Sequence, residues 1–396
     1  MADTLLSPLP AATDVIDALS AKGLRAVLVS TGGGSEALSH LVSTPGASAV
    51  VLEGLVPYAR ESVDALLGGP QESYCSSRAA RRLAVGAWQR ACRYGATVDQ
   101  AVGAAVTASL RTTQPKRGDH RIVVAVHTLD ATSVAEVVLD KGARSRTEED
   151  RLAAALFLER LSAAAHGHRH GAMLAGLRPG EALDIDVMTA PEAWRDLFAG
   201  RRQTVCVETS HVEGTPGTAA AECDQPAAGQ LLFPGSFDPL HEGHLLMARI
   251  AEEIAERPVD YELSVANVDK PWLDSIAIRS RISQFTGQRL WLTRAATFLE
   301  KLDIFPASTF VMGADTYLRL SDPRYYGGSA EAAAAAVARI AAEAAGLIVF
   351  GRARGGVFED PSHLDVPEPL KRVTYFVSQR EFRCDISSTQ LRRAAR

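Results

Sequence analysis

The sequence comprises 396 residues, of which 46% are hydrophobic and 22% are charged, and its formal net charge is −5. This length exceeds that of a typical single domain and predicts two or three domains. No apolar run approaches the roughly 18 residues that are needed to span a membrane. The mildly acidic charge balance also argues against a nucleic-acid partner. Composition therefore excludes the membrane and nucleic-acid-binding classes.

The cysteines and the N-terminal residues indicate the cellular compartment of the protein. Five cysteines are present, an odd number without a recognisable spacing. The first eight residues lack the basic and apolar parts of a secretory signal peptide. Both features predict reduced thiols and a cytoplasmic location.

Helices and strands alternate from about residue 13 to residue 161. In chain order, the patterns predict helix 14–22, strand 24–30, helix 77–94, strand 121–128 and helix 147–164. The segment Thr147-Glu-Glu-Asp150 is typical of a helix start, where polar side chains satisfy free backbone N–H groups. This alternation predicts an α/β layered domain, which we place at residues 1–165.

Residues 166–228 have a looser pattern and are interpreted as a connecting region and linker. The run His166-Gly-His-Arg-His170 has no cysteine or glutamate at metal-ligand spacing, so we predict a solvated loop and no metal site. A strand-like run at 183–187, a short helix at 191–198 and a strand at 205–208 precede a linker-like tract at 214–222.

The third region, residues 229–396, alternates again. Strands are predicted at 231–233, 259–265, 309–313, 347–350 and 373–377, with helices at 245–256 and 329–345. Strands separated by helices predict a doubly wound parallel sheet, whose ligands bind at the carboxyl ends of the strands. A Pro-Gly turn follows the first of these strands. We therefore expect a nucleotide at that turn.

Two segments of the third region carry its chemistry: Phe233-Pro-Gly-Ser-Phe-Asp-Pro-Leu-His-Glu-Gly-His244 and Ile386-Ser-Ser-Thr-Gln-Leu-Arg392. In the first segment, Gly235 and Gly243 permit a close approach of the backbone to a ligand. His241 and His244 lie three residues apart at a predicted helix start, so both imidazoles can face one anion together with the free N–H groups.

The second segment offers further groups to a polyphosphate. The hydroxyls of Ser387, Ser388 and Thr389 begin a predicted helix, and Arg392 lies one turn further along it. Nucleotidyl transfer depends on alignment of the reacting phosphates and on stabilisation of their charge, and these residue types supply both. We expect the two histidines to contact the α- and β-phosphates of ATP, and the second segment to hold the β- and γ-phosphates.

Together, the two segments resemble the H-x-G-H nucleotidyltransferase superfamily. Over residues 231–396 the similarity is greatest to nicotinamide- and nicotinate-mononucleotide adenylyltransferases. The resemblance implies a Rossmann-like domain that transfers AMP from MgATP to the mononucleotide, giving NAD or deamido-NAD and pyrophosphate. It implies catalytic roles for His241, His244, Lys270 and Arg392. The implied ATP contacts are Gly235, Ser236, Phe237, Gly243, Arg352, Ile386, Ser387, Ser388 and Thr389.

The same resemblance implies contacts to the mononucleotide. Gly313 and Asp315 match the family's G-A-D segment after the central strand. No motif identifies the aromatic residue that stacks on the pyridine ring. We select Trp291 for that role, with Tyr317, Tyr325 and Tyr326 as alternatives.

Other functions remain open on sequence alone. A pantetheine-phosphate adenylyltransferase or a cytidylyltransferase would use the same loop, and a non-catalytic sensor could bind nucleotides without reacting. The sequence does not choose between the amide and acid forms of the pyridine nucleotide, and it is compatible with a homo-oligomer.

Residues 13–165 resemble the CinA-type nicotinamide-nucleotide amidohydrolases, through a glycine-rich turn, Thr31-Gly-Gly-Gly34, and segments 44–48, 53–58 and 76–86. Members of that family have a serine nucleophile in the first turn, where this chain has Thr31. Their Y-S-x-x-x-K element keeps its tyrosine as Tyr58, but Val63 stands at the lysine position. Because a hydroxyl nucleophile needs a neighbouring base, we predict an amidase-type domain that has lost hydrolysis.

Overall fold

The computed structural model describes residues 11–114, 116–167, 176–210, 217–220, 225–354, 357–384 and 391. The chain forms two compact units. The N-terminal unit contains Met1–Ala199 and Asp269–Ala277, and the C-terminal unit contains Gly200–Val268 and Ile278–Arg396. Each unit is built around its own sheet.

Among the described residues, the sheet of the N-terminal unit has six strands in the spatial order β2-β1-β3-β4-β5-β6. They are β1 (Arg25–Thr31), β2 (Val51–Leu55), β3 (Ala101–Ser109), β4 (His120–His127), β5 (Ala131–Leu139) and β6 (Leu183–Thr189). β1 pairs in parallel with β2 and β3, whereas the pairs from β3 to β6 are antiparallel. The sheet is therefore mixed.

Helices cover both faces of this sheet. They are α1 (Ala12–Ala21), α2 (Ser35–Ser43), α3 (Ala47–Val50), α4 (Arg60–Leu67), α5 (Ser77–Arg93), α6 (Arg146–Ala165) and α7 (Glu192–Ala199). Side chains alternate across β1: Leu28 contributes to a core cluster with α1, α2 and α6, and Val27 to a cluster with α4 and α5. Ser145 and Glu148 cap the start of α6 reciprocally, so the capping box lies two residues before the predicted one at Thr147–Asp150.

The second sheet has eight strands within the described residues, in the order β16-β13-β12-β9-β10-β11-β7-β8. They are β7 (Thr204–Ser210), β8 (Gly217–Ala220), β9 (Leu231–Pro234), β10 (Val259–Ser264), β11 (Arg289–Thr293), β12 (Thr309–Gly313), β13 (Gly346–Phe350) and β16 (Thr374–Val377). From β16 to β11 all pairs are parallel. A separate antiparallel pair joins β14 (Arg352–Arg354) and β15 (Val357–Glu359).

Six α-helices connect these strands in the described part of the chain. They are α8 (Glu242–Ala255), α9 (Ser275–Ile282), α10 (Phe298–Ile304), α11 (Ala314–Arg319), α12 (Ala330–Glu343) and α13 (Glu368–Arg372), with 3₁₀ turns at Pro323–Tyr326 and Pro361–His363. Strands separated by helices in this order give the predicted doubly wound sheet. No helix in the described ranges is both long and apolar enough to cross a membrane.

The units do not follow the predicted boundaries. The predicted connecting region, residues 166–228, is divided between the sheets: β6 and α7 join the first, and β7 and β8 extend the second. β7 pairs with β11 and places Cys206 opposite Trp291, although these two residues lie about 85 positions apart in the chain. Local pattern cannot reveal such a pairing. Of the predicted linker tract, residues 217–220 form β8, and the rest lies outside the described residues.

Candidate nucleotide-binding site

The position of the histidine loop, residues 235–244, follows from the order of the strands. β9 lies at the centre of the parallel strands, and it pairs with β10 on one side and with β12 on the other. The chain order therefore reverses between β9 and β12, and in such sheets the crevice at the carboxyl ends of these strands binds the ligand. The histidine loop leaves β9 at that crevice and leads into α8.

An aromatic cluster holds the histidine loop against the sheet. The N–H of Gly235 donates to the carbonyl oxygen of Glu262 at 2.9 Å, which ties the loop to β10. The ring of Phe237 covers Gly235 so closely that a Cβ there would lie 2.4 Å from it. Phe237 has a φ of 42°, in the left-handed region, and its ring is buried. Burial of this ring between His244 and Phe285, each with a centroid 5.3 Å away, offsets the backbone strain.

A buried ion pair fixes the carboxyl end of β10 beside this loop. Lys301 donates to both carboxylate oxygens of Glu262 at 2.7 Å, and both side chains are buried. The hydroxyl of Thr293 also donates to Glu262, at 2.5 Å. Because breaking a buried pair leaves an uncompensated charge, this network resists displacement of the strand end.

His241 and His244 stack on each other at the start of α8. Their ring centroids are 3.8 Å apart with an interplanar angle of 27°. The backbone N–H of His241 donates to Nδ1 of His244 at 3.3 Å. Nδ1 of His241 is buried, and among the described residues no group forms a hydrogen bond with it. A buried nitrogen without a hydrogen-bond partner carries a desolvation cost, which a partner would relieve.

Burial also controls the charge of this pair. Burial, together with a smaller effect of the nearby His241, lowers the pKa of His244 from its ordinary value to about 4. Burial lowers the pKa of His241 as well. Both imidazoles are therefore neutral near pH 7, and each carries one N–H that can donate to a ligand oxygen.

The structure also brings the predicted acid and one predicted arginine together. Asp315 lies in the first turn of α11, directly after β12, and Arg352 follows the neighbouring strand β13. Their side chains form an ion pair, and each is about 41% exposed. Gly313 ends β12 opposite Phe350 of β13. The pair therefore lies at the carboxyl ends of adjacent parallel strands, where ligand groups can compete for either partner.

Gly243 marks the approach of the C-terminal segment to the histidine loop. A Cβ on Gly243 would lie 2.8 Å from Sγ of Cys384 and 3.1 Å from Nδ1 of His241. Cys384 stands two residues before Ile386 in the sequence. The predicted residues Ile386, Ser387, Ser388, Thr389 and Arg392 lie outside the described residues.

The predicted aromatic residues and Lys270 differ in their exposure. Trp291 is 1% exposed, lies in the core on β11 and donates its indole N–H to Asp260 at 3.1 Å. It cannot stack on a ligand in this position, because hydrophobic neighbours surround the ring. Tyr317 is equally buried, whereas Tyr325 and Tyr326 are partly exposed. Lys270 is exposed and belongs to the N-terminal unit, and its catalytic role stays a prediction.

Sequence reasoning missed the residues that support the histidine loop. Arg281 donates from Nε to the carbonyl oxygen of Ser236 at 3.0 Å and pairs with Asp238 at 2.9 Å. Gln284 donates to the carbonyl oxygen of Phe237 at 3.0 Å and accepts from the N–H of Leu240 at 2.7 Å. These two side chains form hydrogen bonds with backbone groups of the loop and so hold its conformation. The only local sign of this role in the sequence is that Arg281 and Gln284 lie three residues apart, a spacing that puts both side chains on one face of a helical turn.

The glycine-rich turn of the N-terminal unit is occupied by protein groups. Gly34 donates its N–H, at the start of α2, to Oδ1 of Asp150 at 3.0 Å. Arg146 donates to the carbonyl oxygen of Gly32 at 2.7 Å. A Cβ on Gly32 would lie 2.0 Å from the carbonyl oxygen of Ala108, so the turn packs directly against β3. Internal contacts therefore fill the anion-binding position of this turn.

The residues predicted for a degenerate amidase site do not share one environment. Thr31 is buried at the end of β1, whereas the side chain of Tyr58 is 78% exposed. Val63 lies in the core cluster that also contains Val27 and Val29 of β1. A side chain that packs among valines cannot serve as a base.

Each part of the chain matches one known family. Residues 232–394 match the cytidylyltransferase-like family. Residues 9–162 match the family of the CinA C-terminal domain. The predicted two-domain α/β fold, CinA-like at the N-terminus and Rossmann-like at the C-terminus, is thereby confirmed. The matches support a nucleotidyltransferase, the coarser part of the predicted activity.

Solved structures similar to this chain carry CinA names. The CinA superfamily protein from Escherichia coli is 20% identical, with 41% of this chain and 95% of that chain covered and a TM-score of 0.33. The competence/damage inducible protein CihA from Agrobacterium tumefaciens is 22% identical, with coverages of 40% and 99% and a TM-score of 0.31. A CinA superfamily protein from Klebsiella pneumoniae is 16% identical, with coverages of 39% and 95% and a TM-score of 0.33. No curated protein matches the sequence.

Proposed function

We propose that this protein transfers AMP from MgATP to nicotinamide mononucleotide or nicotinate mononucleotide, giving NAD or deamido-NAD and pyrophosphate. The observation that carries the proposal is the stacked pair His241 and His244 at the start of α8, where Nδ1 of His241 lacks a partner among the described residues. A triphosphate at the helix start would supply the acceptor oxygens that these imidazoles lack.

The chemistry suits neutral histidines. A phosphate oxygen of the mononucleotide attacks the α-phosphorus, a new P–O bond forms, and the bond to the β-phosphate bridging oxygen breaks. The attacking phosphate is already anionic near pH 7, so no general base is needed. The imidazole N–H groups would stabilise the charge that accumulates on the phosphate oxygens. The triphosphate would in turn favour protonation of His244, because a nearby negative charge raises the pKa of an imidazole.

Further observations support the assignment of the two substrates. Cys384 touches Gly243, so the sequence reaches the histidine loop two residues before the segment Ile386–Arg392 that we assign to the β- and γ-phosphates. Asp315 and Arg352 lie at the carboxyl ends of β12 and β13, where we place the mononucleotide and a phosphate, respectively. Mg²⁺ would arrive with ATP, bound chiefly by phosphate oxygens.

The pyridine nucleotide is chosen as acceptor on two grounds. The loop and the G-A-D segment resemble those of pyridine-mononucleotide adenylyltransferases. The N-terminal unit matches the CinA C-terminal domain, and its sequence resembles nicotinamide-nucleotide amidohydrolases. We assign no hydrolysis to the N-terminal unit, because Val63 is a core residue and the glycine-rich turn is filled.

The test is incubation of the full chain with MgATP and a panel of phosphate acceptors, with products identified by mass and pyrophosphate measured in parallel. The panel contains nicotinamide mononucleotide, nicotinate mononucleotide and 4′-phosphopantetheine, and CTP replaces ATP in a second series. We expect a dinucleotide with a pyridine mononucleotide and MgATP. Dephospho-coenzyme A as the sole product, or reaction with CTP alone, would contradict the proposed acceptor or donor. Binding without any product would indicate a sensor.

A further inference from the structure

One buried carboxylate near the end of β10 collects polar contacts from two neighbouring elements. Glu262 is 1% exposed, and both of its carboxylate oxygens accept hydrogen bonds from Lys301 of α10 at 2.7 Å. The hydroxyl of Thr293, the last residue of β11, donates to the same carboxylate at 2.5 Å. Lys301 also donates to the carbonyl oxygen of Ala295 at 2.8 Å, so each proton of its ammonium group has an acceptor. All four residues belong to the C-terminal unit.

The neighbours of these polar groups along the chain are apolar. Leu263, Leu292 and Leu302 are all buried. An apolar pair of similar volume can stabilise such a position as well as an ion pair does, because burial removes the solvation of both charges. A hydrogen-bonded pair restricts geometry more strongly, since each donor must meet its acceptor within about 3 Å. The contribution expected of this network is therefore to fix the position of the strand end more than to add stability.

The same end of β10 carries the histidine loop. The N–H of Gly235 donates to the backbone carbonyl oxygen of Glu262 at 2.9 Å. Tyr261 precedes Glu262 in the strand, so its side chain lies on the opposite face of the sheet, where its ring is 5.5 Å from that of Phe237. The ring of Phe237 in turn lies 5.3 Å from that of His244. Two successive residues of β10 thus hold the loop, and the network fixes one of them from the other face.

We propose that Glu262, Lys301 and Thr293 are positioning residues for adenylyl transfer, which fix the histidine pair relative to the triphosphate. Glu262 acts through its backbone carbonyl and the adjacent Tyr261, and the other two act by holding its side chain. None of the three belongs to the histidine loop or to the predicted site residues. The catalytic consequence rests on the proposed function. The control of the loop by the network is a property of the fold of this unit and does not depend on which nucleotide reacts.

The first test measures amide hydrogen exchange of residues 235–244 in the full-length protein. Glu262→Met combined with Lys301→Met replaces the ion pair by an apolar pair and leaves no unpaired charge, so the protein should stay folded. We expect exchange of the loop amides, Gly235 above all, to increase several-fold. Asp260→Asn is the matched control, because Asp260 is a buried acid of the same strand that contacts Trp291 rather than the loop. Loop exchange equal to that of the wild type, or raised equally by the control, would overturn the proposal.

The second test uses the smallest change to the network and separates positioning from general destabilisation. Thr293→Val removes the hydroxyl and keeps the shape of the side chain, whereas Thr293→Ser keeps the hydroxyl. We expect Thr293→Val to lower kcat by roughly tenfold with little change in the KM of the acceptor, because a small misplacement of a donor raises the barrier. Thr293→Ser should retain most of the wild-type kcat. Wild-type kcat in Thr293→Val, or an equal loss in both variants, would refute positioning by this hydroxyl.

The two tests distinguish the failure of each proposal. If the wild-type protein forms no dinucleotide with any acceptor, the proposed function is wrong, and the exchange measurement still decides whether the network controls the loop. If transfer occurs and the loop of the double variant exchanges as in the wild type, the function stands and the positioning role is wrong. Thermal unfolding of each variant identifies any loss of folding, and the Thr293 pair decides the question should the double variant fail to fold.

Discussion

Two glycine-containing turns occupy equivalent places in the two sheets, and they differ in what fills them. Each follows a parallel strand and precedes a helix: Thr31–Gly34 between β1 and α2, and the histidine loop between β9 and α8. In the first, the carboxylate of Asp150 accepts the N–H at the helix start. In the second, two neutral imidazoles stack, and Nδ1 of His241 has no partner among the described residues.

The comparison shows that the sheet topology places a helix start after each of these strands, and that the neighbouring side chains determine whether a ligand can bind there. A helix start beside a sheet edge attracts an anion wherever it occurs. When a carboxylate of the same protein is that anion, the position becomes structural. When the neighbours are histidines with lowered pKa values, the position stays available to a phosphate.

The largest effect should follow from removal of one member of the histidine pair. We expect His244→Ala to reduce turnover by roughly 10²- to 10³-fold, because it deletes one preorganised donor to the phosphates. His363→Ala is the matched control, since His363 is an exposed histidine in the same unit. Steady-state rates of dinucleotide formation check both. Near-normal turnover of His244→Ala would show that His244 does not contribute to catalysis, and the proposed functional difference between the two turns would then be wrong.

The converse test restores the missing base of the amidase-type site. Val63 is 3% exposed among core valines, so Val63→Lys buries an ammonium group and should lower the free energy of unfolding by about 3 kcal/mol. Chemical denaturation measures this loss. We expect no ammonia from nicotinamide mononucleotide with either wild type or variant. Ammonia release by the wild type that Thr31→Ala abolishes would show that this turn is catalytic after all.

A third test uses the buried histidine of the N-terminal unit. Burial lowers the pKa of His127 from 6.5 to about 4. The unfolded chain therefore binds the proton first as the pH falls, and stability is lost between about pH 6.5 and pH 4. The loss amounts to about 3 kcal/mol for this one group. His127→Phe should flatten that part of the stability curve. An unchanged slope would mean that folding does not lower the pKa of His127.

The parts of the molecule that the sequence predicted are those with strong local patterns. The parallel strands β9, β12 and β13 have continuous apolar runs, and the histidine loop has a motif. Trp291 was assigned wrongly to the ligand, because an aromatic residue looks the same in sequence whether it faces a core or a ring. The association of Asp269–Ala277 with the first sheet was missed, since it depends on contacts such as Arg81–Asp274 between distant parts of the chain.

The smallest expected effect tests whether Asp150 closes the glycine-rich turn. Its carboxylate accepts from Gly34 at the start of α2 in place of an external anion. Asp150→Ala should cost about 1 kcal/mol, which is typical of a lost hydrogen bond at a helix start. It should also leave the N–H groups of α2 open to phosphate. We therefore expect the unfolding temperature of Asp150→Ala to be higher in inorganic phosphate than in chloride at equal ionic strength. The wild type and Asp99→Ala are the controls and should show no such difference, because Asp99 is an exposed acid of the same unit. Equal stabilisation of all three proteins would show that Asp150 does not fill the anion position, and the difference between the two turns would then reside in the histidines alone.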